Sequence, residues 1–240
     1  MGLNNRVFEL IAMHCRRGVA RGTIAPTVRP ALAAGYPDCL VDPAMLRKWL
    51  GTDDMPADRA SNEIKRMHAR PLLDYARDPF HVFRMLGFDL TVIDIAQERG
   101  PEQIVDLNKP SSVAGSFDLV LDHGTIEHCF NVAEAARNLA GAVAGGGFIV
   151  QHLPMNMYNH GFYNFSPTFF VDFYEQNGFD ILHMEGVAGD RVFDVPPVMR
   201  FRNVPENSLI TIVARRVVVQ AITFPIQRVY RERVVEARRA

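Results

Sequence analysis

The most informative segment of this sequence is Phe117-Asp-Leu-Val-Leu-Asp122-His-Gly-Thr-Ile-Glu-His-Cys-Phe-Asn131. Its apolar run ends on Asp122, and the turn that follows contains Gly124. Helix-like sequence then continues over 131–143, and three glycines at 145–147 precede a second apolar run. A strand, a crossover helix and a second strand in this order are typical of a parallel α/β sheet.

The same alternation continues on both sides of this stretch. Further strand-like runs lie at 29–34, 90–95, 103–106, 147–153, 179–184 and 208–214. The last two predict an antiparallel pair at the sheet edge, and 186–207 between them predicts a loop that could serve as a mobile lid. We therefore expect an α/β, Rossmann-like fold with a mostly parallel twisted sheet and helices on both faces.

Outside the sheet, the sequence predicts two helical regions and a basic tail. Residues 4–17 have the apolar spacing of an amphipathic helix, and residues 42–85 predict a helical insertion after the first strand. We expect a single domain over 1–240, with its core sheet in 28–41 and 86–215 and a C-terminal tail at 216–240. From Arg215 onward there are seven Arg and two Glu, which indicates a solvated helix face or a self-association arm and a possible homo-oligomer.

Composition excludes several classes of protein. Of 240 residues, 48% are apolar and 22% are charged, which is the range of globular proteins. Lys and Arg total 26 against 27 Asp and Glu, so no general attraction to nucleic acid or to an anionic membrane is expected. The apolar part of the N-terminus is too short for a membrane span or a signal peptide. Three cysteines at irregular spacing favour a reducing compartment, and we expect a cytoplasmic protein.

Aspartates close three of the apolar runs. Asp94, Asp106 and Asp122 each follow β-branched or other apolar residues, and Gly35 follows the first run. In an open parallel sheet, ligands bind beyond the carboxyl ends of the strands. Carboxylates in a row there suit ribose hydroxyls and an adenine amino group, although any one of these aspartates could equally cap a turn.

Two blocks of sequence resemble a known enzyme family. Residues 117–154 resemble the fourth-to-fifth-strand region of class I S-adenosylmethionine-dependent methyltransferases, in which a Phe-Asp-Leu-Val strand precedes a Leu-Glu-His-like turn, a helix and a Pro-Gly-Gly-like turn. Asn159-His-Gly-Phe-Tyr-Asn-Phe-Ser-Pro167 is similar to a block after strand five in a bacterial subgroup of these enzymes. Asp106-Leu-Asn108 is similar to that subgroup's Asp-Leu-Asn block at strand three.

The resemblance implies methyl transfer from S-adenosylmethionine to an oxygen or nitrogen of a small molecule or glycan precursor. It implies that Asp94 accepts hydrogen bonds from both ribose hydroxyls of the cofactor and that Asp106 accepts one from the adenine amino group. It also implies that 122–125 lies under the methionine part of the cofactor. The implied cofactor-binding residues are Gly35, Asp94, Ile95, Asp106, Leu107, Asp122, His123 and Gly124.

The first turn departs from the family pattern. Most class I members have Gly-x-Gly-x-Gly there, whereas Ala33-Ala-Gly35-Tyr-Pro-Asp38 has one glycine. A catalytically degenerate binding or regulatory protein on the same fold is therefore the alternative. An NAD-dependent oxidoreductase is disfavoured because its phosphate-binding glycine turn is missing.

Histidines are the candidate catalytic groups, because a methyl acceptor often has to lose a proton near neutral pH. His160 is the first candidate, since the loop after strand five should overhang the transferred methyl group. His128 is the second, with a structural role in its turn as the alternative. A divalent metal ion could in principle be bound by Asp122, His123, Glu127, His128 and His160. Their spacing does not indicate a preformed cage, and no metal is expected.

Overall fold

The computed structural model describes residues 2–15, 27–58, 76–196 and 200–231. The helices in these ranges are α1 (Asn5–His14), α2 (Pro43–Leu50), α3 (Pro79–Met85), α4 (Val132–Ala142) and α5 (Pro167–Gln176). The strands are β1 (Arg29–Ala34), β2 (Phe88–Asp94), β3 (Gln103–Ile104), β4 (Phe117–Asp122), β5 (Val143–Asn156), β6 (Phe179–Ala188), β7 (Arg191–Phe193) and β8 (Ser208–Arg216). No helix within the described ranges is long and apolar enough to cross a bilayer.

The strands form one sheet in the order β3-β2-β1-β4-β5-β8-β6-β7. The first five in this order pair in parallel, and β8 is antiparallel to both of its neighbours. This confirms the predicted mostly parallel sheet, and the strand order around β1 is that of a doubly wound, Rossmann-like sheet. The strand order reverses direction between β1 and β4, which is the point where such sheets open a crevice for a ligand.

Alternation along the strands divides the core between the two faces of the sheet. Ala31 and Ala33 of β1 pack in a cluster with the apolar residues of α1, α2 and α3. Leu32 and Ala34 pack in a second cluster with α4 and α5. Helices therefore cover both faces, as predicted.

The segment between β1 and β2 contains helices, as predicted, and one of them is the crossover to β2. The Asp78 carboxylate caps α3 by accepting hydrogen bonds from the amides of Phe80 and His81. Only Leu86 and Gly87 separate the end of α3 from the start of β2. Residues 59–75 of the predicted insertion, like residues 16–17 of the predicted first helix, lie outside the described residues.

The predicted loop at 186–207 is wrong in its first part. Strand β6 continues to Ala188 and turns into β7, with Gly186 paired to Phe193. The residue in this strand position is a glycine because the Phe193 ring occupies the space that a side chain of residue 186 would need. A Cβ on Gly186 would lie 2.2 Å from that ring. A glycine that suggested a loop is instead required by close packing.

The glycines at 145–147 also differ from the prediction of a turn before the strand. They lie inside β5, where the pairing shifts: Phe117 pairs with Val143, but Leu119 pairs with Phe148. Gly146 has a φ of +78°. The three glycines form an irregularity of the strand, which bends β5 next to β4.

The described part of the C-terminal tail packs on the body of the protein. The side chain of Asn177 accepts a hydrogen bond from the Thr223 amide, and Asp172 accepts hydrogen bonds from the Arg228 amide and the Arg231 side chain. Residues up to Arg231 are thus tied to α5 and the turn after it, and 232–240 lie outside the described residues. Self-association stays a prediction.

Candidate functional site

A cavity of about 390 Å³ opens at the carboxyl ends of β1, β2 and β4. Its size suits a small-molecule ligand. It brings together the predicted residues Gly35, Asp94, Ile95, Asp106, Leu107, His123, Gly124 and His128. Asp122 and His160 do not line it. Thr125, from the predicted 122–125 turn, lines it as well, and so do residues that were not predicted as binding residues, among them Tyr36, Pro37 and Asn108.

Gly35 forms the tight turn after β1. Its φ of +78° is a conformation that favours glycine, and a Cβ at this position would lie 2.7 Å from Oγ1 of Thr125. That hydroxyl donates a hydrogen bond of 2.7 Å to the Ala34 carbonyl. The single glycine of this turn is therefore at the position where the backbone must stay bare.

Side chains from other segments brace the rest of the turn. Arg99 pairs with Asp38 at 2.6 Å, and its guanidinium lies over the Tyr36 ring at 4.9 Å. The Tyr36 hydroxyl donates to Asp58 at 3.0 Å. Arg99 belongs to the loop after β2, so the turns after β1 and β2 are held together. These long-range contacts fix the position of the turn, which contains a single glycine.

Asp94 closes β2 beside the Gly35 turn. Its Oδ1 accepts a hydrogen bond of 2.7 Å from the Ile95 amide, and its Oδ2 lies 4.0 Å from the position of a Cβ on Gly35. Burial raises the pKa of Asp94, and hydrogen bonds from the amides of Ile95 and Ala96 oppose this effect. The side chain of Ile95 is 64% exposed next to this carboxyl group.

Asp106 lies in the loop after β3, on the next wall of the cavity. Its Oδ1 accepts hydrogen bonds from the backbone and side-chain nitrogens of Asn108, which lower the pKa of Asp106. The Asn138 side chain donates to the carbonyls of Leu107 and Lys109 and fixes the loop against α4. Asn108 thus orients the predicted adenine-binding carboxylate, a role that sequence spacing did not reveal.

Asp122 turns into the protein instead of into the cavity. It is fully buried and accepts hydrogen bonds from the Thr125 amide at 3.1 Å and from Gln151 at 2.8 Å. Burial raises its pKa to about 6 despite these bonds. Its carboxyl group shapes the turn whose residues His123 and Gly124 reach the cavity.

Beside the cavity, Glu127 lies between two histidines. Its Oε1 is 3.5 Å from Nε2 of His160 and 3.8 Å from Nε2 of His128. His128 lines the cavity, whereas His160 lies next to it, and the ring centroids of the two histidines are 5.3 Å apart. Burial and the neighbouring Asp122 raise the pKa of Glu127 to about 8. Of the five candidate metal ligands, the structure brings Glu127, His128 and His160 together.

Several exposed aromatic rings belong to the same two segments as His128 and His160. Phe130 and Phe162 meet edge to face with their centroids 5.5 Å apart, and the Tyr163 hydroxyl donates to the Phe130 carbonyl. Tyr158 is also largely exposed, whereas Phe165 is buried in the core. An aromatic wall next to two histidines can hold an acceptor with an apolar or planar surface.

Comparisons with known proteins gave matches in structure alone. No protein-family model matches the chain, and no curated protein matches its sequence. TehB from Haemophilus influenzae is 12% identical, with a TM-score of 0.43 over 72% of this chain and 66% of that chain. The N-methyltransferase NodS from Bradyrhizobium japonicum, a complex with S-adenosylhomocysteine, is 12% identical, with a TM-score of 0.42 over 79% of each chain.

A third similar structure is 1,6-didemethyltoxoflavin-N1-methyltransferase from Burkholderia thailandensis, with bound 1,6-didemethyltoxoflavin and S-adenosylhomocysteine. It is 11% identical to this chain, with a TM-score of 0.44 over 89% of this chain and 77% of that chain. Identities and TM-scores are low, so the fold assignment rests on the strand order.

Proposed function

We propose that the protein is an S-adenosylmethionine-dependent methyltransferase that acts on an oxygen or nitrogen of a small molecule or glycan precursor. The observation that carries this proposal is the cavity at the switch point of the sheet, where the Asp94 carboxyl group stands beside the bare backbone of Gly35. Two carboxyl groups and a glycine turn at adjacent strand ends suit a nucleoside with a polar tail.

The residues present fit this cofactor. The Asp94 carboxylate is placed to accept from ribose hydroxyls, and the exposed Ile95 side chain offers an apolar surface for the adenine ring. Asp106, held by Asn108, is placed to accept from the adenine amino group. His123 and Gly124 line the cavity, and we assign the methionine end to the turn that contains them. When bound, S-adenosylmethionine supplies an electrophilic methyl group on a sulfonium centre.

We assign the acceptor to the side of the cavity that His128 lines. The exposed rings of Phe130 and Phe162 belong to the same two segments as His128 and His160. His128 is shared between this side and the cavity, and His160 stands behind it. Both histidines remain the proposed catalytic groups, and positioning of the acceptor is their first contribution. Aromatic walls suit sugars and planar rings, which fits a small molecule or a glycan precursor.

The proposal is tested by calorimetric titration with S-adenosylmethionine and S-adenosylhomocysteine. We expect both to bind, and Asp94→Ala to weaken binding by more than about tenfold, because hydrogen bonds to a charged group contribute ~1.5–3 kcal/mol. Asp89→Ala is the matched control on the same strand, since its exposed carboxylate contacts only Arg84 among the described ion pairs. Binding of neither ligand would overturn the proposal.

The same titration addresses the alternative function. A degenerate binding protein would bind S-adenosylhomocysteine with the same dependence on Asp94 but would transfer no methyl group to any acceptor. A screen with labelled methyl donor against hydroxylated and amino acceptors separates the two. Transfer that depends on Asp94 favours the enzyme, and its absence across the screen favours the binding protein.

A further inference from the structure

We propose that Glu127, His128 and His160 form a binding site for one divalent transition-metal ion of the zinc, cobalt or iron class. One ligand atom from each of these residues lies within 4.8 Å of the other two. The residues come from two separate segments, the 3₁₀ turn after β4 and the loop after β5. The fold therefore assembles a set that the sequence spacing did not indicate.

The strongest independent observation is the state of the Glu127 carboxyl group. Its side chain is 0% exposed, and within the described part of the chain neither carboxyl oxygen accepts a hydrogen bond from another residue. No Lys or Arg of the described residues pairs with it. A buried carboxyl group whose oxygens have no partner is costly in either protonation state, and most such groups in native proteins have partners. A metal ion is a partner that would satisfy it.

The histidine on the far side of the carboxylate shows the same deficiency. Nε2 of His160 is buried and, among the described residues, has no hydrogen-bond partner, although it faces Oε1 of Glu127 at 3.5 Å. This distance is too long for a good hydrogen bond between these atoms. The separation is the kind expected where two ligands face a common third atom.

Backbone contacts fix the two segments against each other. The Phe162 amide donates a hydrogen bond of 2.8 Å to the Glu127 carbonyl. A Cβ on Gly161 would lie 2.8 Å from both Cγ and the carbonyl oxygen of Glu127, so only glycine permits this approach. His160, next to Gly161, is thereby held over the carboxylate. The site does not need a large rearrangement to form.

The donor set defines the class of ion. Two imidazoles and one carboxylate with further positions open are typical of zinc and of non-haem iron sites, whereas calcium and magnesium prefer oxygen ligands. His128 is half-exposed and lines the cavity, so the open positions face the acceptor side. An oxygen of the acceptor bound there would be oriented and made more acidic by the ion. This role rests on the proposed function, whereas metal binding itself does not.

The test is titration of the chelator-treated full chain with Co²⁺ and Zn²⁺. We expect a ligand-field absorption band with Co²⁺, a rise in melting temperature with Zn²⁺, and affinity that falls at least about tenfold in Glu127→Gln and in His160→Ala. His81→Ala, which changes a histidine of α3 away from the site, is the matched control and should bind like the wild type. Melting curves without metal establish that each variant is folded.

Metal binding that is equal in the wild type and in a folded Glu127→Gln variant would overturn the site. So would a wild-type protein that gives neither the Co²⁺ band nor the Zn²⁺ stabilisation. Titration with S-adenosylhomocysteine on the same metal-free samples keeps the two proposals apart. Intact S-adenosylhomocysteine binding without metal binding rejects only the metal site. Metal binding without S-adenosylhomocysteine binding supports the site and rejects the proposed cofactor.

Discussion

Two buried glutamates, Glu185 on β6 and Glu127 beside the cavity, stand near histidines in opposite electrostatic surroundings. Glu185 accepts hydrogen bonds of 2.7 and 2.6 Å from Arg6 and lies 2.7 Å from Nε2 of His183. Burial raises the pKa of Glu185, but these partners outweigh it and lower the pKa to about 2. For Glu127, burial and the nearby Asp122 both act to raise the pKa.

The difference separates a structural carboxylate from a functional one. The ion pair between Arg6 and Glu185 links α1 to β6 and so stabilises the packing of these two elements. Glu127 forms no ion pair with a Lys or Arg among the described residues. Its burial therefore destabilises the folded state unless a bound ligand supplies a partner for the carboxyl group. Unsatisfied buried groups of this kind are expected at sites that bind something.

The largest expected effect on stability is that of Glu185→Gln. It removes the charge that pairs with Arg6 in a partly buried site, and we expect the free energy of unfolding at pH 7 to fall by about 2 kcal/mol. Chemical denaturation measures this loss. Glu175→Gln is the control, because Glu175 pairs with Arg228 on the surface and should cost less than about 1 kcal/mol. Equal effects of the two variants would contradict the comparison.

The same variant has a signature in acid. A carboxyl group whose pKa is lowered on folding contributes stability above its unfolded pKa, near 4.5, and loses it as the pH falls toward 2. The stability difference between the wild type and Glu185→Gln should therefore be full at pH 6 and shrink between about pH 4.5 and pH 2. A difference that stays constant through this range would mean that Arg6 and His183 do not stabilise the charge.

The next prediction compares a glycine at the cavity, Gly35, with a glycine in the turn that follows β6, Gly189. Gly35→Ala should lower stability by about 1.5 kcal/mol, because an alanine at φ +78° is strained and its Cβ would displace the Thr125 hydroxyl. Gly189→Ala, in the β6–β7 turn, has a φ of +58° with open space around it and should cost only about 1 kcal/mol. Gly35→Ala should also weaken S-adenosylhomocysteine binding, and Gly189→Ala should not. Identical affinities would remove the Gly35 turn from the site.

The smallest expected effect on stability is that of Glu127→Gln in metal-free protein. Replacing a buried carboxyl group that has no donors with a neutral amide of similar size should change the free energy of unfolding by less than about 0.5 kcal/mol or raise it. A loss comparable to that of Glu185→Gln would show that Glu127 is a structural group. Thermal and urea unfolding in the presence of a chelator measure this change.

Where the backbone follows local periodicity, the sequence predicted the fold closely. Strand β4, for example, begins at Phe117 and ends at Asp122 as predicted. The errors fall on glycines. Gly186 and the run at 145–147 suggested loops, but their missing side chains make room for the Phe193 ring and for neighbouring carbonyls inside strands. Such contacts are made by distant residues and cannot be predicted from a local pattern.

For the site, strand ends could be predicted and side-chain directions could not. Asp94 and Asp106 reach the cavity, but Asp122 turns inward because Gln151 on β5 donates to it from inside the sheet. From the sequence, Glu127 is only one of two acidic residues in a candidate metal-ligand group that also contains three histidines. Its burial depends on the contact with Gly161, a residue 34 positions further along the chain.

The most direct test of the central claim is a crystal structure of the protein with S-adenosylhomocysteine. We predict the nucleoside in the cavity at the ends of β1, β2 and β4, with both ribose hydroxyls donating to Asp94 and the adenine beside Ile95 and Asp106. A nucleoside bound elsewhere, or one bound in the cavity without contact to Asp94, would contradict the account.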